Sequence, residues 1–108
     1  MDIVKTFVCD GKGYYERHLR IMNAMLPVMM TEKEIEFLGC WMYFGGGEMD
    51  ERIKGLVKEC MGLSASGFSN YMSGLRKKGF VRGDEIWRRL LIDSDEQRYG
   101  IRIIREEE

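Results

Sequence analysis

A row of short polar residues, Ser64, Ser66, Gly67, Ser69, Asn70 and Ser73, runs directly into three cations, Arg76, Lys77 and Lys78. More arginines follow at Arg82, Arg88 and Arg89. Hydroxyls, an amide and fixed positive charges bind oxygen-rich anions, and nothing in the set pairs a nucleophile with a base. The chemistry on offer is therefore recognition, not bond breaking. Interleaved with the row, Phe68, Tyr71 or Met72, and Leu75 recur at helical spacing. One face of such a helix anchors it to a core while the other is presented outward.

Other reactive residue types form no constellation. His18 is the sole histidine and reads as a helix-surface or packing residue. Cys9, Cys40 and Cys60 are odd in number, widely spaced and lack a C-x-x-C pair, so no zinc site or disulfide framework is expected. Cys40 and Cys60 lie among apolar residues and read as small buried side chains. Asp93, Asp95 and Glu96 lack the glycine and spacing of a calcium loop. Gly11 and Gly13 lack the third glycine of a dinucleotide loop and read as a tight turn. No enzyme activity, cofactor or metal is expected.

The net charge of −1 conceals an uneven distribution. Residues 1–51 carry five Lys/Arg against nine Asp/Glu, whereas residues 52–105 carry twelve against six. Glu106, Glu107 and Glu108 then form an acidic tail. A +6 segment within an otherwise acidic chain points to a local anionic partner. At 108 residues, 44% of them apolar, the chain is expected to fold as one domain, or one domain with an extension. It has no apolar run of the roughly 20 residues that a membrane span needs. Asp2, Asp10 and Glu16 interrupt the first 20 residues, so a signal peptide is not expected and a cytoplasmic location is.

The elements that position the polar row are legible in order. Residues 2–9 read as a strand, Asp10 to Gly13 as a turn, and Tyr14 to Met25 as a helix ended by Pro27. Thr31 and Glu34 form a capping box for a helix to about Tyr43, apolar enough to be central. Asp50 caps the next helix, in which Ile53, Leu56, Val57, Cys60 and Met61 form a stripe. Gly62 stops it, and Ser64 or Ser66 caps the helix carrying the polar row, which Gly79 ends. Phe80-Val81, the Gly83-Asp84-Glu85 turn and Ile86-Trp87 read as a hairpin. Arg88 to Ile92 is either strand or a short helical turn, and Tyr99 to Ile104 reads as a last strand.

Residues 31–105, about 70% of the chain, resemble the winged helix-turn-helix superfamily, most closely MarR-type regulators and small phage-encoded winged-helix proteins. The resemblance rests on Ser64, Ser66, Phe68, Ser69, Tyr71, Met72, Leu75, Lys78, Gly79, Phe80 and Val81, which follow the family's recognition helix and its passage into the wing. It implies a mainly α fold with a small β-hairpin wing (α+β), preceded by a strand-helix extension over residues 1–30 and followed by the acidic tail at 106–108. It further implies double-stranded DNA as partner and a role as transcriptional regulator. Ser64, Ser66, Gly67, Ser69, Asn70 and Ser73 would face the major groove, with Asn70 nearest a base edge. Arg76, Lys77 and Lys78 would meet phosphates from the helix end, and Arg82, Arg88 and Arg89 from the wing. Dimerisation through residues 1–44 is expected from their apolar content and from the match between dimers and paired half-sites. A second reading is a winged helix serving as a protein-interaction module in a phage, replication or transcription assembly. The pI of about 5.9 and the uncharged polar row favour it.

Overall fold

The computed structural model describes residues 5–6, 9, 11–92, 98–100 and 102–106. Four helices, α1 (Gly11–Asn23), α2 (Glu32–Gly45), α3 (Glu51–Met61) and α4 (Ala65–Lys78), precede a two-stranded antiparallel hairpin, β1 (Val81–Arg82) and β2 (Glu85–Ile86). A single tight helical turn over Arg88–Leu90 follows. The chain is thus mainly helical with a small sheet. No helix among the described residues is long and apolar enough to cross a membrane.

Local capping chemistry fixes where the helices start. Thr31 Oγ1 accepts from the Glu34 amide at 3.1 Å, and the Glu34 carboxylate accepts from the Thr31 amide at 2.8 Å. Asp50 accepts from the Ile53 amide at 2.8 Å, and Ser64, rather than Ser66, from the Gly67 amide at 3.0 Å. Each side chain thereby satisfies an amide that the first helical turn leaves without a carbonyl. At the other end of α4, Gly79 adopts φ 84°, a left-handed conformation that L side chains avoid. That turn lets the Phe80 amide reach back to the Leu75 carbonyl at 3.0 Å and aims the chain into β1.

α2 is the central helix. Ile35, Phe37, Leu38, Cys40, Trp41 and Met42 are all buried, so it is covered on most sides. α1 and α3 pack against it. The α3 contact is close at Gly45, where a Cβ would fall 2.0 Å from Ile53 Cδ1. Phe37 lies 5.3 Å from both the Phe68 and Tyr71 rings and is stacked on the latter, which seats α4 on α2. Leu19 and Met30 belong to the same core as Phe80, Val81, Ile86 and Leu90.

Several expectations are corrected. The residues expected to turn before α1 include Gly11, Lys12 and Gly13, which already lie in the helix. α1 stops at Asn23, before Met25, because the buried Asn23 amide clasps Met30 from both sides, at 3.1 Å to its carbonyl and 2.6 Å from its amide. That clasp folds residues 24–30 back before Pro27 can act. Cys60 is exposed, because only Ile53 and Val57 of the α3 stripe are fully covered. Arg88–Leu90 resolves as the helical turn. The last strand does not form among the described residues of the Tyr99 to Ile104 stretch; Ile103 and Ile104 are 94% and 75% exposed. The outer edge of β2 is already occupied, since Glu48 bridges to Glu85, Met49 donates to the Asp84 carbonyl at 2.7 Å and Ile86 donates to the Gly47 carbonyl at 2.8 Å. Of the strand expected over residues 2–9, positions 2–4, 7 and 8 lie outside the described residues, and Lys5, Thr6 and Cys9 carry no strand.

Candidate functional site

α3, the Gly62-Leu63 corner and α4 form two consecutive helices joined by a short turn. The corner is closed by Leu63 N–H donating to the Lys58 carbonyl at 2.8 Å and by the Ser64 cap. Phe68, Met72 and Leu75 are buried, which turns the opposite side of α4 outward. On that side Ser64, Ser66, Ser69, Asn70 and Ser73 are exposed and Gly67 is half-buried. The Ser64 and Ser66 hydroxyls sit 3.2 Å apart at the helix N-terminus, beside the free amides of the first turn. The sequence-derived row thus stands together on one accessible face.

The cations divide into two groups. Arg76 is exposed, but its guanidinium donates to the Gly83 carbonyl at 2.9 Å and to Asp84 at 3.2 Å. It therefore ties the hairpin turn to α4. Lys78 is half-buried and its ammonium donates to the Glu34 carboxylate at 2.5 Å and to the Met29 carbonyl at 3.0 Å. Burial alone would push the Glu34 carboxyl up, but the Lys78 ammonium and the Thr31 amide overcome it and hold the group below its ordinary value. Lys78 is therefore a structural cation linking the end of α4 to the start of α2. Lys77, Arg82, Arg88 and Arg89 are exposed and form no ion pair among the described residues. They extend from the end of α4 through β1 to the helical turn after β2.

Beside the row, an open groove of about 480 Å³ runs between α3, α4 and the hairpin tip. Its lining mixes Lys54 and Arg76 with Asp50, Glu51 and Asp84. The carboxylates give this edge of α4 a charge pattern unlike the end that carries Lys77.

His18, read from the sequence as a helix-surface or packing residue, takes the packing role, with partners the sequence did not reveal. It is buried on α1, with Nε2 2.8 Å from the Leu90 carbonyl and Nδ1 2.5 Å from the Tyr99 hydroxyl. Nε2–H donating to the carbonyl leaves Nδ1 to accept the Tyr99 O–H, which is the neutral tautomer. Desolvation pulls the His18 pKa below its ordinary value and outweighs the carbonyl's opposing pull. Partners 72 and 81 positions away leave no local signal in the sequence. No group of His, Cys, Asp and Glu among the described residues could hold a metal ion.

No protein-family model, curated protein or solved structure matches this chain.

Proposed function

We propose that this chain binds double-stranded DNA, with α4 entering the major groove and the β1–β2 hairpin meeting the sugar-phosphate backbone, and that it acts as a transcriptional regulator. The observation that carries the reading is the outward face of α4, a run of small hydrogen-bonding side chains that leads to Lys77 at the helix end and Arg82 just beyond it, cations without ion-pair partners among the described residues. Serines and a glycine allow a helix backbone to approach a phosphate ridge closely. Asn70, exposed midway along the row, is the side chain suited to pair bidentately with an adenine edge. The capped turn between α3 and α4, and the pairing of residues 47–49 with the hairpin, give α4 a rigid mount.

Lys77, Arg82, Arg88 and Arg89 are the phosphate ligands in this proposal; Arg76 and Lys78 hold the frame. Four neutralised phosphates give a log–log salt slope of about −3 to −4 on a duplex. Fluorescence anisotropy of a labelled random duplex across a salt series measures it. Binding that ignores salt, or that survives unchanged in an Asn70→Ala, Lys77→Ala double variant, removes the proposal.

Dimerisation through residues 1–44 forms part of the same reading. Met25, Val28, Met29 and Tyr43 are exposed large apolar residues in that segment, at 39%, 45%, 66% and 49%. Sedimentation showing only monomer, with and without duplex, excludes it. The same residues favour a second reading, a protein-interaction module, which is preferred if the chain dimerises or captures a protein while ignoring DNA.

A further inference from the structure

Cys40 and Cys60 lie 20 positions apart in sequence, yet their sulfurs are 3.3 Å apart, with Cys40 S–H donating to Cys60 Sγ. Cys40 sits in the middle of α2 and is fully buried; Cys60 sits in the last turn of α3 and is exposed. A third group converges on the same sulfur: the Lys12 ammonium of α1 donates to Cys60 Sγ at 3.9 Å. Three helices thus bring one accessible thiol, one enclosed thiol and one cation together. We propose that Cys60 and Cys40 form a hydroperoxide-reactive dithiol site, in which Cys60 is the attacking sulfur, Cys40 the resolving sulfur and Lys12 the positioning cation.

The chemistry balances in two steps. Cys60 gives up its proton, and the thiolate lone pair attacks one oxygen of hydrogen peroxide. The O–O bond breaks, the departing hydroxide takes up a proton, and Cys60 sulfenic acid and water result. Cys40 sulfur then attacks the Cys60 sulfur, the S–OH bond breaks, and the Cys40 proton leaves with the hydroxide as a second water. Overall two thiols become one disulfide and one peroxide becomes two waters. A dithiol reductant reverses the bond by exchange.

The asymmetry of the site assigns the roles. Peroxide reaches Cys60, while burial, the S–H···S bond and the charge of Cys60 push the Cys40 thiol up to about 12. Two of those three causes belong to the Cys60 sulfur and change once it carries an oxygen. Cys40 is therefore inert to solvent oxidant and is addressed only through its neighbour. The sulfurs need to close by little more than 1 Å to reach a bond of about 2.05 Å. Cys60 stands one residue from the end of α3, where the backbone is least constrained.

The test is stoichiometric hydrogen peroxide on the native chain and on Cys9→Ser, followed by non-reducing digestion and mass spectrometry. The expected product in both is an intramolecular Cys40–Cys60 peptide pair lighter by two hydrogens and restored by dithiothreitol. Cys40→Ser is expected to hold a sulfenic acid at Cys60 that dimedone captures. Cys60→Ser alters an exposed position and remains informative if Cys40→Ser does not fold; it is expected to leave Cys40 unoxidised at the same dose. Lys12→Met is expected to slow loss of the Cys60 thiol about two- to threefold, since a unit charge 3.9 Å away in water favours the attacking thiolate but also weakens it as a nucleophile. An unchanged rate overturns the part given to Lys12. Sulfinic acid at Cys60, or disulfides that only involve Cys9 or join two chains, with no Cys40–Cys60 link, overturns the proposal.

Discussion

Replacing Lys78 with methionine removes the ammonium but keeps most of the aliphatic stem, and so isolates the charge that faces Glu34. The Glu34 side chain is 9% exposed and that of Lys78 is 30% exposed. A charge-assisted hydrogen bond contributes about 1.5–3 kcal/mol, and stranding a buried carboxylate costs more than stranding an exposed one. The open side of the ammonium moderates the effect, so Lys78→Met is expected to cost about 2–3 kcal/mol at pH 7. Glu34→Gln should cost about 1 kcal/mol, because its amide oxygen still accepts from Thr31 and the Lys78 ammonium can turn to water. The double variant should lose less than the sum of the two. Because the Glu34 carboxyl is held below its ordinary value of 4.5, its contribution is present above that value and is lost as the pH falls through the folded value. The cost of Lys78→Met should therefore shrink at acid pH, where the stranded carboxylate takes up a proton. Urea denaturation of the four species at pH 7 and at about pH 4 measures these differences. A cost for Lys78→Met that is the same at both pH values, or smaller than that of Glu34→Gln, refutes the argument.

Four further outcomes follow from the same geometry. The His18 pKa is lowered, so its contribution is complete above the ordinary value of 6.5 and declines as the pH falls below it; in His18→Gln the stability slope in that window should flatten, well above the range in which Glu34 titrates. Gly79→Ala places a Cβ at φ 84° and should cost about 1–2 kcal/mol in chemical denaturation, with the α4–β1 junction losing amide protection first. Oxidising Cys40 to Cys60 closes a loop of 20 positions and should raise stability by about 3 kcal/mol, read as a higher Tm that falls back on adding reductant. Lys77→Gln and Arg82→Gln should each reduce the magnitude of the duplex salt slope by about 0.9, whereas Lys78→Gln should weaken the fold and leave the slope unchanged.

Much of the architecture was legible in the chain because it rests on local bonds. The Thr31–Glu34 box, the Asp50 and Ser64 caps and the Gly62 and Gly79 stops each join groups a few positions apart, so residue type at fixed spacing is enough to find them. The accessible row on α4 was legible for the same reason: burying Phe68, Met72 and Leu75 leaves Ser69, Asn70 and Ser73 no other side to occupy. The misreadings share a different origin. Tyr99 to Ile104 has the composition of a strand, but residues 47–49 occupy the outer edge of β2, and the described residues of that stretch pair with neither strand. Cys60 fits an apolar stripe, but the width of that stripe is decided by what packs against it.

Residue order alone determined that four helices form, the caps of α2, α3 and α4, the hairpin and which face of α4 turns outward, since each follows from contacts within a few residues. Tertiary structure decided which charged groups remain available and which hold the fold. Lys78 and Glu34 are 44 positions apart, Cys40 and Cys60 20 apart, and His18 and Tyr99 81 apart. Whether such groups meet depends on how whole helices cross, and that is set by the shared core rather than by any pattern readable along the chain.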